Sequence, residues 1–422
     1  MRSGGASRSA GMLVDERIKM SRHAHPARTL WLCGVLHTFT HLYQVALLPL
    51  YLLIQKDLDL DGVEKSTLLV TAMMAAYYLP SYHMGVAADH WSRKKLLALG
   101  LALNGIGFIV LSQARSYPMA LLCAAIAGIG GSTYHPAATA LIAKLFPERT
   151  GKALGLLGIG ASVGFFIGPF YAGWRAETAG WRTPILELGI FGVIGAALFA
   201  WLADDDGQIH PHTEPPREKM FSSWKVWTIF AGAALAFSLR DFAGSSMGSL
   251  GSLFLQQARG FSLRETGAAV SAIFLASAIS NPLFGRISDR ARLRTALSLL
   301  IIAAILVISF PLIPGRLSIV ALVTYGFFFM ASYPIVETAV MESVHQSVRG
   351  RAFGFFITIG GVVGNLAHWL MGLWVEALGA RANTPAAYYP IYGTLSLFIV
   401  LSLLGLPLLH RLRREEIAAG KI

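Results

Sequence analysis

Long apolar runs alternate with short charged clusters from residue 29 to residue 410. Counted between clusters, the runs fall at 29–54, 67–88, 96–114, 118–143, 153–173, 183–202, 225–256, 266–285, 295–313, 317–342, 352–378 and 386–410. A helix needs about 20 apolar residues to cross the hydrocarbon layer of a bilayer. The pattern therefore predicts twelve spanning helices. Residues 1–28 are polar and basic, a tail without an apolar core of its own. The first apolar run lacks a small-residue cleavage site, which predicts an uncleaved helix and not a signal peptide. Residues 203–224 carry Asp204–Asp206, His210, His212 and three prolines, and read as a linker. Its Asp and His residues are metal-ligand types, but a solvated hinge accounts for them. The linker separates an N-terminal bundle, 29–202, from a C-terminal bundle, 225–410, with a short tail at 411–422.

Composition supports the membrane reading. Of 422 residues, 55% are hydrophobic and 14% charged, and the mean hydropathy is +0.57. About a quarter of a soluble globular chain is charged. A water-soluble fold could not hide this much apolar side chain. A cytosolic enzyme, a nucleic-acid binder and a disordered chain are excluded. Cys33 and Cys123, the two cysteines, both sit in apolar runs and offer no disulfide framework.

The formal charge of +12 is explained by its placement. With the N-terminus in the cytoplasm, 25 Lys and Arg residues fall on the cytoplasmic side and nine on the other. Arg240 alone lies within a span. By the positive-inside rule both termini are cytoplasmic.

The halves repeat. Gly85-Val-Ala-Ala-Asp89-His-Trp-Ser-Arg93-Lys-Lys lies between spans two and three, and Gly285-Arg-Ile-Ser-Asp289-Arg290 lies between spans eight and nine. Gly151-Lys-Ala-Leu-Gly155 matches Gly350-Arg-Ala-Phe-Gly354, and Pro136 matches Pro334. All three echoes share an offset of about 200 residues. Two parallel halves around a midplane site form a transporter architecture.

The Gly85–Arg93 loop and its echo resemble the signature loop of the major facilitator superfamily over essentially residues 29–410. The resemblance implies an all-α membrane protein, with 12 transmembrane helices in two pseudo-symmetric six-helix bundles. It also implies that Gly85, Asp89, Arg93, Asp289 and Arg290 tie the cytoplasmic gate shut when the site faces outward. Physically, Gly85 lets two helices approach closely. Asp89 can meet Arg93 at i,i+4 if the loop is helical, or cap the positive end of a helix from the other half.

In span five, Gly155, Gly164, Gly168-Pro169 and Gly173 resemble the motif of drug/proton antiporters, with Ala172 where the motif ends in a pair of glycines. Small residues at these spacings let helices pack backbone to backbone, and Pro169 interrupts the hydrogen-bond ladder to shape the pore wall. The second half lacks the Gly-Pro in its counterpart, Gly360-Gly361-Val-Val-Gly364-Asn365. His37-Thr-Phe-Thr-His41-Leu-Tyr-Gln44 and Gly131-Ser-Thr-Tyr134-His135-Pro136 resemble the fosmidomycin-resistance group of bacterial efflux proteins. Where that group carries acidic residues, this chain has His41 and Ala137.

Ionisable residues inside spans are costly and mark function. At 1.5 Å per residue, His41, Arg240 and Asn365 share a depth of about 18–22 Å. His37, His41 and Gln44 fall at i, i+4 and i+7 and so share a helix face. With Tyr134, His135, Arg240 and Asn365 they form the expected substrate-binding set. Arg240 and its neighbour Asp241 point about 100° apart on a helix and are not expected to face one spot. Arg240 is expected to face the cavity and attract an anionic or polar group, with Asp241 turned to another helix or titrating. A buried ion pair between helices is the alternative. Asp241 and Glu337 are the expected proton-coupling carboxylates, and His41 and His135 can also carry protons.

His37-x-x-x-His41 has the spacing of one histidine box of membrane di-iron oxidases, but no second box appears. No phosphate-binding G-x-x-x-x-G-K-[ST] loop is present. An enzyme, a metal site and a cofactor are not expected. The sequence reads as a secondary transporter working by alternating access: proton-coupled efflux, by antiport, of a small organic or anionic compound. The alternative is symport or uniport uptake of a small organic anion or sugar, and a third class is a non-transporting membrane sensor. The expected partners are a small-molecule substrate, protons and the lipid bilayer, with a monomer in the bacterial inner membrane.

Overall fold

Backbone polar groups in lipid must be satisfied within the protein, which leaves helices as the simplest spanning element. The computed structural model describes residues 25–205 and 219–421, and no strand occurs among them. The basic tail before His25, and His210 and His212 of the linker, lie outside the described residues. Spans three, five, six, seven, ten and eleven are continuous helices: Arg93–Leu111, Thr150–Ala179, Arg182–Leu202, Trp224–Gln257, Leu317–Glu342 and Arg349–Leu378. The others are jointed. Span one runs Pro26–Val45, takes a 3-10 turn at Leu48–Leu50 around Pro49, and resumes at Tyr51–Asp57. Span two is Val63–Tyr78 and Ser81–His90, and span four is Tyr117–Ser132 and Tyr134–Leu145. Spans eight and nine join through Leu263–Leu275 and Ser277–Ser309, with the boundary at Ala291, where φ is −155°. Span twelve is Tyr389–Ser402 and Gly405–Ala418.

Spans one, two and four fall outside the helices that are long and apolar enough to cross a membrane by simple length and hydropathy. These are the jointed spans that carry His37, His41, Gln44 and His135. Elsewhere the outer surface is as oily as the core. In span three Leu99, Leu103, Ile106 and Val110 share one exposed stripe, as a lipid-facing helix requires.

Within each half, span one packs on five, three on six, and seven on eleven and twelve. Two seams join the halves, span two against eleven and span five against eight. The hydrogen bonds across the join gather toward the end remote from the chain termini. Tyr51 bonds Ser249 at 2.8 Å, Ser252 donates to Leu48 O at 2.7 Å, and Gln256 donates to Pro49 O at 3.2 Å. Val63 N donates to Glu376 at 2.9 Å and Arg264 N to Glu177 at 2.7 Å. The molecule is thus latched at its far end. At the end that carries the termini, Asp89, Asp289 and Arg290 are exposed.

Residues 411–418 depart from the expected free tail. The last helix continues to Ala418, Glu416 is buried, and its carboxylate accepts from Ser222 N and Oγ. Lys225 pairs with Glu415 at 2.8 Å. Lys225 holds the Glu415 carboxyl below its ordinary range. At the other bundle, Asp204 accepts from the backbone N–H of His25 and from Thr29 Oγ1, and so caps the first helix.

Candidate functional site

In the N-terminal half, span one presents His37 and His41 one turn apart, and span four presents His135 beside them. The His37 and His41 Nε2 atoms lie 3.0 Å apart. His37 Nδ1 is 2.8 Å from Leu157 O of span five, and His41 Nδ1 is 2.9 Å from Gln44 Oε1. The His135 ring centroid is 5.2 Å from that of His37 and 5.5 Å from that of His41. His37 is buried, His41 half-buried and His135 exposed. Tyr134 stacks on His37 at 4.7 Å and donates to Cys33 O at 2.8 Å, so it props the cluster from behind.

Span five reaches this close because it is glycine-lined. A Cβ at Gly160 would strike Gly34 O, one at Gly164 would strike Thr38 O, and one at Gly168 would lie 2.7 Å from Leu42 O. Toward the other half, a Cβ at Gly173 would strike Leu263 O, while one at Gly155 would meet nothing within 4 Å. The Gly-Pro motif therefore seats span five between spans one and eight. Pro169 sits inside the continuous helix, where it omits one rung of the hydrogen-bond ladder without ending the helix. The Pro169 carbonyl lies where a Cβ at Gly267 of span eight would stand.

The C-terminal half answers with charge. Arg240 Nε and Nη2 donate to Asp241 Oδ1 at 2.9 and 2.7 Å. The Arg240 guanidinium lies 4.1 Å over the Tyr333 ring, and Arg240 is 1% exposed. The expectation that neighbours on a helix cannot share a direction fails here, because the long Arg side chain folds back along the helix to reach the short Asp. Arg240 is accordingly enclosed between Asp241 and Tyr333. Asp241 fits against span eleven only because Gly360 and Gly364 stand there. A Cβ at Gly364 would lie 2.9 Å from the Asp241 Cβ. Glu337 of span ten is half-buried and makes no hydrogen bond among the described residues. It stands near enough for the charges of Arg240 and Asp241 to act on it.

Two tyrosines connect the layers, and the sequence reading missed them. Tyr77 and Tyr78 of span two pack edge to face at 5.0 Å. Tyr77 faces His135 at 6.4 Å. Tyr78 lies against Gly361 and within electrostatic reach of Asp241 and Glu337. A pair of adjacent tyrosines just before Pro80 in span two was the available signal. Phe165 also packs on His41 at 4.4 Å and stacks across the join on Phe274 at 4.7 Å.

Asn365 belongs to a different structure, the far-end latch. His368 Nδ1 is 2.6 Å from Ser249 Oγ, and His368 Nε2 is 3.0 Å from Asn365 Oδ1. Thr71 of the other half donates to Asn365 O at 2.9 Å and accepts from Trp369 N. Gly85 lies beside Pro136, and Arg292 pairs with Glu342 at 2.7 Å and with Asp289 at 3.7 Å. Arg93 is buried at a helix start, and the helix breaks at Trp91–Ser92, so Asp89 and Arg93 do not share one helix.

The sequence-family description "Major Facilitator Superfamily" matches residues 30–368. The multidrug resistance protein MdtG of Dickeya zeae is 30% identical over 331 residues, 74% of this chain and 78% of that protein. The multi-drug resistance efflux pump PmrA of Streptococcus pneumoniae is 29% identical over 316 residues, 71% of this chain and 76% of that one. The crystal structure of a bacterial homolog to the human lysosomal transporter Spinster, inward-facing and unoccupied, superposes with a TM-score of 0.76 at 17% identity. It covers 93% of this chain and 98% of its own.

Proposed function

The chain belongs to the major facilitator superfamily and is a transporter, not an enzyme; from that premise we propose that it exports a small organic compound in exchange for protons. The chain lies in a bacterial inner membrane as a monomer with both termini cytoplasmic. The charge bias of 25 to nine supports that orientation. The latched far end is then the outer end, and the conformation is inward-open.

The observation that carries the exchange reading is the state of Arg240. Its guanidinium is already occupied by Asp241. An anionic substrate would need Asp241 protonated to free Arg240, so proton and anion would bind together, which is the logic of symport. A neutral or cationic compound that takes the place of protons at Asp241 and Glu337 excludes them, which is the logic of antiport. The multidrug efflux relatives favour the second. His37, His41, Gln44, Tyr134 and His135 line the substrate's other side. Asn365 tunes closure from the latch. Gly85, Asp89, Arg93, Asp289 and Arg290 close the cytoplasmic end when the latch opens.

Inside-out vesicles with an imposed proton gradient test this reading. They should accumulate a cationic dye such as ethidium and give up protons as they do so. Dye uptake that ignores collapse of the gradient would overturn the exchange. Asp89→Asn should abolish flux and leave dye binding intact; unimpaired flux would remove the gate role.

A further inference from the structure

The proton-exchange reading leaves the geometry of the imidazole cluster unexplained. Leu157 O can only accept, so His37 carries its proton on Nδ1 and, when neutral, turns a lone pair out at Nε2. Gln44 Oε1 lies 2.9 Å from His41 Nδ1, and with the ring proton on Nδ1 His41 likewise turns a lone pair out at Nε2. In that tautomer two lone pairs face each other across 3.0 Å. Such a contact is repulsive unless a cation shares it. The third imidazole, His135, brings a ligand nitrogen within 4.8 Å of both others.

We propose that His37, His41 and His135 form a binding site for a divalent transition-metal cation of the zinc or cobalt class, with the fourth position open to the central cavity. Each element of such a site is present. Metal-bound histidines give their second ring N–H to a carbonyl or carboxylate, which orients the ring; Leu157 O and Gln44 Oε1 stand in that position. Two histidines at i,i+4 on one helix form a bidentate unit. Imidazoles without carboxylates select zinc, cobalt, nickel or copper over calcium and magnesium. Metal–nitrogen bonds of about 2.0–2.1 Å in a tetrahedron place ligand nitrogens about 3.3 Å apart. His37 and His41 are already near that spacing. His135 has to move about 1.5 Å at most to reach it. A shared proton could satisfy the first two nitrogens but gives His135 no part. The inference rests on the N-terminal half alone and stands apart from the coupling chemistry of the other half.

The test is cobalt(II) titration of the purified full chain, without a histidine tag, in detergent at mildly alkaline pH. One equivalent per chain should bind with the intense visible bands of tetrahedral cobalt. His41→Gln and His135→Gln should each lose that equivalent while keeping the metal-free unfolding temperature. Gln44→Ala, which removes the second-ring support, should weaken binding about 10–100-fold. Binding should fall as pH drops, because the ligands must be deprotonated. Bands that persist in both histidine variants would overturn the site, as would their absence from the wild type. Because His135 is the exposed member of the cluster and makes no hydrogen bond among the described residues, its variant keeps the test valid should His41→Gln fail to fold. Calorimetry that finds only proton uptake on acidification, and no metal heat, would assign the pair a shared proton instead.

Discussion

The two halves repeat the same sequence echoes but carry contrasting polar chemistry. The N-terminal half holds three imidazoles, a tyrosine and a glutamine, groups that can all be neutral. The C-terminal half holds a buried Arg–Asp pair and a free glutamate. The scaffolds are not jointed alike: spans one and four are broken where spans seven and ten run unbroken, and each half fills its interior separately. A neutral layer costs little to bury and can adapt to ligands of many shapes. A charged layer is costly to leave unpaired, so its protonation state can drive a conformational change. We propose from this difference that the first half recognises the substrate and the second couples energy, a division that can be attacked experimentally.

The largest effect is expected at Glu337. Glu337→Gln should reduce gradient-driven transport to background while energy-independent exchange of substrate across the membrane continues. His41→Gln should leave the gradient dependence intact and change the substrate concentration at half-maximal flux. Transport assays in proteoliposomes, with and without a gradient, separate the two. Loss of coupling in His41→Gln with retention in Glu337→Gln would reverse the assignment of the halves.

Stability provides a second contrast. Asp241→Asn strands the Arg240 charge, 1% exposed, and should cost about 3–5 kcal/mol. A double change, Arg240→Gln with Asp241→Asn, should recover most of that loss in thermal unfolding. If the single and double variants unfold alike, the pair has no structural weight.

His37→Phe is the matched change in the neutral layer. It removes one hydrogen bond to Leu157 O, a carbonyl within a continuous helix, and should cost about 0.5–1.5 kcal/mol. A loss equal to that of Asp241→Asn would erase the contrast between layers.

What the sequence disclosed follows the same division. Helix periodicity put His37, His41 and Gln44 on one face, and the repeat placed the loops and the two halves. Periodicity could not show Arg240 folding back on Asp241, because a long flexible side chain escapes the direction of its Cα–Cβ bond. Nor could it show Tyr77 and Tyr78 bridging the layers, since that contact depends on how span two meets span eleven. The breaks in spans one and two were marked by Pro49 and Pro80, while the docking of residues 411–418 rests on tertiary contacts, Glu416 to Ser222, Glu415 to Lys225 and the buried Leu412, that no local pattern announces.

The smallest effect is expected where the halves touch without taking part in either layer. Tyr51 Oη bonds Ser249 Oγ, which also bonds His368 Nδ1. Tyr51→Phe removes one link of this chain and leaves Ser249 its other partner, so no buried group is stranded. One hydrogen bond is worth about 0.5–1.5 kcal/mol net, a change of about 2–10-fold in a two-state equilibrium. The far end should open more often by that factor, seen as a shift in the distance distribution between spin labels at residues 56 and 258. Both polar layers are untouched, so gradient dependence should persist at an altered rate. A Tyr51→Phe protein that loses coupling would mean that the latch, and not the charged layer, carries the energy.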